Sequence, residues 1–510
     1  MKSNNIILFV IFLFSICTKS FGKITFIEKG FTFETLKGDS LVRIKSFKSD
    51  TIVEELHIPA TITHNREKYK VYILGRESLA NHSEILSVMV DEGVSVIGDN
   101  AFENCINLKS LYLPASISSV GIRLFGSCYN LRSIVIDSNN EDYDSREGCN
   151  AIIDSNTNEL VAGCVATVIP SSVKSIASFA FYHCNTMKEL TIPEGVESIG
   201  DFSLGSCTSL KNIILPLSLK KIGWNAFNAC TSLKKIFIPR NVSFIGKSNI
   251  FSYCRELTSV VVDKNNAYYD SRLNCNAIIQ KSDAKLIAAC RTTVIPEGVR
   301  ELDQECCYAT LMHKVRIPKS VEKIAGNAFN NCFELDSIIV TKGNPSYVSP
   351  TGSNAVFTKD GKTLVVGCRT SVIPNGVKKI GDSAFFGKYV QPFLKLPDSV
   401  EKIGSCAFQN CLGLTSVIIP ASIKKIGSMA FAQCSNLASV SFLSTPELIE
   451  KWTFKECYNL SVVNLSQGLK TIENWTFQDC TNLKQIFLPS TVTNIEKDAF
   501  MNCPVTLIKR

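Results

Sequence analysis

An aromatic or aliphatic residue followed three positions later by a cysteine recurs along this chain with a dominant period of 23, as from Cys105 to Cys128. The pairs are Phe102/Cys105, Phe125/Cys128, Phe181/Cys184, Leu204/Cys207, Phe227/Cys230, Phe251/Cys254, Phe329/Cys332, Phe408/Cys411, Phe431/Cys434, Phe454/Cys457, Phe477/Cys480 and Phe500/Cys503. Three further rungs are degenerate: Leu79/His82, the stretch around Cys306 and Cys307, and Phe385 followed by Lys388, which brings the count to 15. A unit this short cannot bury its own apolar side, so the units must stack on one another around a continuous core. Chain length allows either such an elongated array or several domains, because 510 residues at 45% hydrophobic content exceed what one ordinary compact core holds.

Residues 210 to 230 show the pattern inside one unit: Leu-x-x-Ile-x-Leu-Pro, then x-x-Leu-x-x-Ile-Gly, then x-x-Ala-Phe-x-x-Cys. The alternating apolar residues predict a short strand with one face inward and one outward. Pro216 and its equivalents end that strand because proline cannot donate to the ladder, and Gly223 allows the tight turn into the Ala-Phe segment. The expected fold is a β-rich solenoid carrying one long parallel sheet, roughly 70 Å from end to end at about 4.8 Å per rung. Three units are longer. Asp142-Tyr143-Asp144-Ser145-Arg146 with Cys149-Asn150-Ala151-Ile152 and Cys164 is echoed by Tyr268-Tyr269-Asp270-Ser271-Arg272 with Cys275-Asn276-Ala277-Ile278 and Cys290. The third keeps Asn354-Ala355-Val356 and Cys368, and each leads into Val-Ile-Pro, so they read as hairpin-bearing repeats.

The unit Leu-x-x-Ile-x-Ile-Pro-x-Ser-Val-x-x-Ile-Gly-x-x-Ala-Phe-x-x-Cys resembles the BspA-type leucine-rich repeat over residues 75–510. Residues 23–74, with Ile58-Pro59 and Tyr69-Lys70-Val71, resemble the β-rich N-terminal cap of such proteins; a cap is needed to cover the apolar edge of the first rung. The resemblance implies a leucine-rich-repeat solenoid and a surface protein or adhesin that engages other macromolecules.

Residues 1–22 run from Lys2 through the apolar stretch Ile6 to Ile16 to Ser20 and Gly22, the pattern of a secretory signal peptide. That apolar stretch is too short for a spanning helix, which takes roughly 20 residues. Lipid attachment at Cys17 is a minor alternative, because Ile16 stands where a small residue is normal. No later stretch predicts a transmembrane segment in the mature chain. The formal charge is +8, from 54 basic and 46 acidic residues, and loss of Lys2 and Lys19 with the signal lowers it to +6. No basic block appears, so nucleic acid is not an expected partner.

After the signal, 20 cysteines remain. Secretion alone argues for disulfides, but a cysteine repeated at one position of every rung stacks into a column, where small thiols can serve the backbone of the turns. In the terms of the resemblance, this column takes the part that asparagine ladders play in other leucine-rich repeats. Cys149/Cys164 and Cys275/Cys290 stay open as hairpin bridges, although Ser353 stands beside a retained Cys368. No metal site is expected, since cysteines one repeat apart do not converge as zinc ligands do. Cys306-Cys307 reads as two core positions replacing Ala-Phe.

Nothing in the chain points to catalysis or to a cofactor. His57, His64, His82, His183 and His313 fall at unrelated positions in the repeat, and no nucleophile elbow, phosphate loop or His-Glu-x-x-His is present. The acidic pair Asp142 and Asp144 reads as a solvated turn. The informative positions lie between the two core residues of each strand: Tyr112, Val135, Thr191, Ile214, Phe237, Val261, Ile339, Ile418, Ser441, Asn464 and Phe487. Eight of the eleven are apolar or aromatic although they face outward. A contiguous stripe of that kind marks an interaction surface; β-propensity for branched and aromatic residues is the competing explanation. Tyr112, Phe237 and Phe487 are the first choices as anchors, with Val135, Ile214, Val261, Ile339 and Ile418 beside them. Asn81, Asn241, Asn459, Asn464 and Asn474 begin Asn-x-Ser/Thr sequences, and a glycan on Asn464 would cover part of the stripe. The functional expectation is a secreted or cell-surface, non-enzymatic, monomeric protein that binds a protein or extracellular-matrix partner through its sheet face. The alternative is a self-assembling component of a cell coat or matrix.

Overall fold

The computed structural model describes residues 23–509 except 37–39, 248, 389 and 445, and the expected signal segment 1–22 lies outside the described residues. The chain winds into a β-solenoid of about 19 turns. That is four more than the Phe/Cys count. Each of the three long repeats completes a turn without a Phe/Cys corner, and Leu56–Ile58 already pairs in parallel with Ser87–Val90 ahead of the first counted rung. Residues before it form an antiparallel set, Thr25–Glu28, Phe31–Thr35 and Leu41–Phe47, joined in parallel to Glu67–Leu74.

Most turns contribute two strands. The longer one, typified by Ser110–Leu113, pairs in parallel with its equivalent on the next rung, Ser133–Ile136. The second is very short, as in Ser198–Ile199, and builds a separate parallel row with Ser175–Ile176 and Lys221–Ile222. The long row is therefore one wall of the solenoid, and it is divided into segments instead of running as one ladder.

The long repeats cause most of these divisions, and their side chains show how. Ser145 Oγ accepts from the Ile136 N–H at 3.0 Å, Ser271 Oγ from Val262 at 2.9 Å and Ser349 Oγ from Val340 at 2.9 Å, so the strand before each hairpin finds its partner in a side chain. On the other side the N–H groups of Val168, Val294 and Val372 donate to the carbonyls of Cys149, Cys275 and Ser353. A buried asparagine anchors each hairpin. Asn266 Nδ2 donates to the Pro239 and Val242 carbonyls, while its Oδ1 accepts from the Tyr268 and Tyr269 N–H groups; Asn140 and Asn344 repeat the arrangement. All of the amide's polar capacity is thus used, as burial requires. Asp144, read from sequence as a solvated turn, is half-buried and grips Arg146 and Ser155. Asp270 grips Arg272 in the same way.

At the corner of each rung the phenylalanines stack. Phe385, Phe408, Phe431, Phe454, Phe477 and Phe500 follow one another with ring centroids 5.0–5.6 Å apart. The cysteines of the repeat form the column beside them, and most of these thiols donate to a backbone carbonyl of an earlier rung. Cys207 Sγ reaches the Phe181 carbonyl at 3.2 Å, Cys434 that of Phe408 at 3.1 Å and Cys480 that of Phe454 at 3.2 Å. All 20 described cysteines are free, Cys149, Cys164, Cys275 and Cys290 included. Cys306 and Cys307 are fully buried in the Ala-Phe positions, as their spacing predicts.

Where a long repeat interrupts the stack, glycine and phenylalanine compensate for each other. A Cβ on Gly163 would lie 2.2 Å from Phe181 Cε1, and one on Gly367 would lie 2.1 Å from Phe385 Cε1. The ring of the following rung fills the space that this missing side chain leaves. The second long repeat has Ala289 at the same place, and there the following rung carries the smaller Cys307. Lys388 answers the same gap. Cys184, the first thiol after a long repeat, comes no nearer than 4.0 Å to the Gly163 carbonyl. The longer Lys388, at the corresponding place, is fully buried and donates across the gap to the Phe329 carbonyl.

Candidate functional site

The wall of longer strands sets one residue per turn facing outward between two core residues. Strand pairing aligns Met89, Tyr112 and Val135, then Thr191 with Ile214, then Phe237 with Val261. Beyond these, Arg316 aligns with Ile339, and Lys395, Ile418, Ser441, Asn464, Phe487 and Ile508 follow in register. The positions expected from sequence therefore align in register within each segment of the row. Ile214 is 62% exposed, Phe237 47%, Val135 45%, Val261 43% and Ile339 41%. Tyr112, Ile418 and Phe487 are half-buried.

Tyr112 differs from the others in having a polar partner. Its hydroxyl donates to Asp137 Oδ2 at 2.6 Å, which raises the phenol pKa and, with the Asn139 backbone N–H, holds the Asp137 carboxyl below its usual range. That bond orients the half-buried ring.

Three residues of the column escaped the sequence reading. Val168, Val294 and Val372 occupy the outward place in the long repeats and are 73%, 69% and 59% exposed. The signal was present in the Val-Ile-Pro that closes each hairpin, one step before the proline-linked core isoleucine. Two cations also went unnoticed: Arg316 and Lys395 interrupt the apolar column. The inserted backbone at Cys149, Cys275 and Ser353 divides it further. The most apolar run over five successive turns is Val168, Thr191, Ile214, Phe237 and Val261, in which only Thr191 is polar, and its strands pair as Thr191 with Ile214 and Phe237 with Val261.

The other row of strands is chemically unlike this one. Its outward side chains are largely charged and pair with each other: Lys220 with Glu197 at 2.8 Å, Lys323 with Glu301 at 2.9 Å and Lys470 with Glu447 at 2.7 Å. Glu401 sits between Lys424 and Lys378, whose hydrogen bonds and charges pull its carboxyl down to about 2. Many charges of that face pair with one another, whereas the column of longer strands exposes apolar groups that no described residue covers.

The histidines do not gather. His57 lies beside Glu55 and Asp91, His64 beside Glu28, His82 beside Glu84, and His313 beside Asp336. His183 stands 3.4 Å from Ser127 Oγ, and burial together with the Arg123 charge lowers its pKa. The ladder thiols are poor nucleophiles: burial pushes Cys105, Cys230 and Cys434 up to about 12.

A family model described as "BspA type Leucine rich repeat region" matches residues 42–159, 151–279, 285–356, 367–450 and 413–509. Among solved structures the chain is similar to a leucine rich cell surface protein from Faecalibacterium prausnitzii, at 23% identity over 88% of this chain and 96% of that one, with a TM-score of 0.39. A leucine-rich repeat protein from Bacteroides ovatus is 24% identical over 95% of this chain and 99% of that one, with a TM-score of 0.34. The pneumococcal vaccine antigen PcpA is 15% identical over 96% and 98%, with a TM-score of 0.24. No curated protein matches.

Proposed function

The chain belongs to the BspA-type leucine-rich repeat family, and from that premise we propose that it is a secreted or cell-surface, adhesin-like protein that binds other macromolecules and has no catalytic role. The observation that carries this reading is the run from Val168 to Val261. Within five successive turns it carries Val168, Ile214, Phe237 and Val261, each between 43% and 73% exposed, with Thr191 between the first two. Exposed apolar groups held in line by a rigid backbone lose little entropy when a partner covers them, which is what an interface needs at its centre. Phe237 is the natural anchor, with Ile214 and Val261 on either side. Tyr112, already engaged with Asp137, belongs to the margin.

Immobilised mature protein is exposed to a panel of purified extracellular-matrix proteins, and each binder is measured again with Ile214→Ala/Phe237→Ala. Truncating a central anchor costs about 2 kcal/mol of binding, or roughly 30-fold in Kd. Both positions are exposed, so the unfolding curve of the double variant should overlay that of the parent. Binding unchanged in a folded variant refutes the site. Sedimentation that shifts with concentration, with no matrix protein retained, refutes the adhesin reading and supports the self-assembling coat.

A further inference from the structure

Alongside the apolar column, at the residue that enters the longer strand, runs a line of cations that linear sequence hides. In successive rungs the chain reads Asn107-Leu108-Lys109-Ser110, Asn130-Leu131-Arg132-Ser133, Thr186-Met187-Lys188-Glu189, Ser209-Leu210-Lys211-Asn212 and Ser232-Leu233-Lys234-Lys235. The cations lie a full repeat apart or are separated by a long repeat, so no basic cluster appears along the chain. Folding brings them together. The Arg132 N–H donates to the Lys109 carbonyl and the Lys211 N–H to that of Lys188, so these pairs occupy adjacent rungs. In the rung after Lys234 the place is taken by the neutral Thr258, whose N–H donates to the Lys234 carbonyl, and on the next turn Thr292 Oγ1 donates to the Thr258 carbonyl with Arg291 beside it in the chain.

Lys109, Arg132, Lys188, Lys211, Lys234 and Arg291 are all exposed, and none of them forms an ion pair among the described residues. This is the opposite of the other row, where Lys220, Lys378, Lys424 and Lys470 each meet a carboxylate at 2.7–2.9 Å. Glu189 is the carboxylate in the adjoining column of these rungs, and it bridges to neither Lys188 nor Lys211. Unpaired like charges one rung apart, about 4.8 Å, repel one another, and an anionic ligand laid along the line relieves that repulsion.

The surroundings of the line select the kind of anion. On either side stand hydroxyl and amide groups, Asn130, Ser133, Ser209, Asn212 and Ser232 among them, which hydrogen-bond to sugar hydroxyls. No aromatic side chain occurs within these five tetrads and Tyr129 alone adjoins one, so the line lacks the row of stacking platforms that single-stranded nucleic acid uses. Leu108, Leu131, Met187, Leu210 and Leu233 all point into the core, leaving no apolar group in the line to insert into a lipid surface. We infer that this line is a binding site for a linear anionic polysaccharide, one carrying sulfate or uronic acid groups at regular intervals. The site is separate from the apolar run and does not depend on it.

The test measures the full mature chain on immobilised heparin, on polygalacturonate, and on neutral dextran, across a range of salt. Lys188→Gln/Lys211→Gln/Lys234→Gln should weaken binding about tenfold or more and lower the slope of log K against log salt by about 3, one for each contact removed. Lys378→Gln/Lys424→Gln/Lys470→Gln removes the same charge from the ion-paired face and should leave binding unchanged, as should Ile214→Ala/Phe237→Ala. Binding to heparin alone assigns sulfate as the recognised group, and binding to both polymers assigns anionic charge at sugar spacing. The inference is overturned if neither polymer binds, if both lysine triples lose affinity equally, or if the triple on the line loses binding to RNA or phosphatidylserine vesicles while neither polysaccharide is retained.

Discussion

Gly163→Ala puts the packing between a long repeat and the rung after it to a direct test. The added Cβ would lie 2.2, 2.8 and 2.9 Å from Cε1, Cζ and Cδ1 of Phe181, a ring with no exposed surface and a fixed place in the core. A methyl group forced into a filled core costs about 1–3 kcal/mol. Loss of glycine's freedom in the unfolded chain returns about 0.4–1 kcal/mol, so a net destabilisation of roughly 1–2 kcal/mol is expected. Phe181→Leu alone costs about 1 kcal/mol by loosening the core. Because the leucine vacates the space that the methyl group enters, the double variant should be more stable than the sum of the two losses predicts, with a coupling of about 1 kcal/mol. The reciprocal change, Ala289→Gly beside Cys307, should destabilise through the void it opens. Solenoids can unfold in parts, so urea unfolding by circular dichroism should be paired with hydrogen exchange on peptides spanning residues 155–190. A neutral Gly163→Ala, or losses that add without coupling, would refute reciprocal filling of that space.

Two further outcomes follow from the cysteine column. Burial raises Cys230 and Cys434 from 9.0 to about 12, so above pH 9 the unfolded chain releases thiol protons that the native chain keeps. Stability should therefore be independent of these thiols below that point and fall as pH rises above it; a urea midpoint that stays flat from about pH 8 to about pH 11 contradicts the assignment. Lys388→Ala should cost about 3 kcal/mol, because it leaves a void and leaves the Phe329 carbonyl with the Cys332 N–H as its remaining donor. Faster hydrogen exchange confined to the neighbourhood of residues 329–388 would locate that loss, and unchanged exchange there would rule out the bridging role.

The repeat period was legible because one rung resembles the next, and with it came the strand, the proline that ends it, the buried thiol column and the outward residues from Tyr112 to Phe487. The assignment of Cys306-Cys307 to the core followed from the same register. What the sequence concealed were relations between unlike positions. Asn140, Asn266 and Asn344 appear as ordinary loop asparagines until each is found bonded to the carbonyls of the rung before it. Gly163 and Phe181 stand on different turns, and neither signals the other until the ring is seen in the glycine's place. Val168 was hidden by counting from the Phe/Cys corner, which the long repeats lack. The line from Lys109 to Lys234 was invisible because a search for basic clusters looks along the chain, whereas the fold collects charge across it.

The thiol column also bears on how such a chain can grow. A fold held by disulfides must gain and lose cysteines in pairs, and a duplication that adds an odd number leaves one without a mate. Here the thiols of the repeated column are satisfied by carbonyls of preceding turns, as Cys457 is by Phe431. A gene can therefore insert or delete a single repeat unit without any problem of parity, and the product needs no oxidant to reach its folded state.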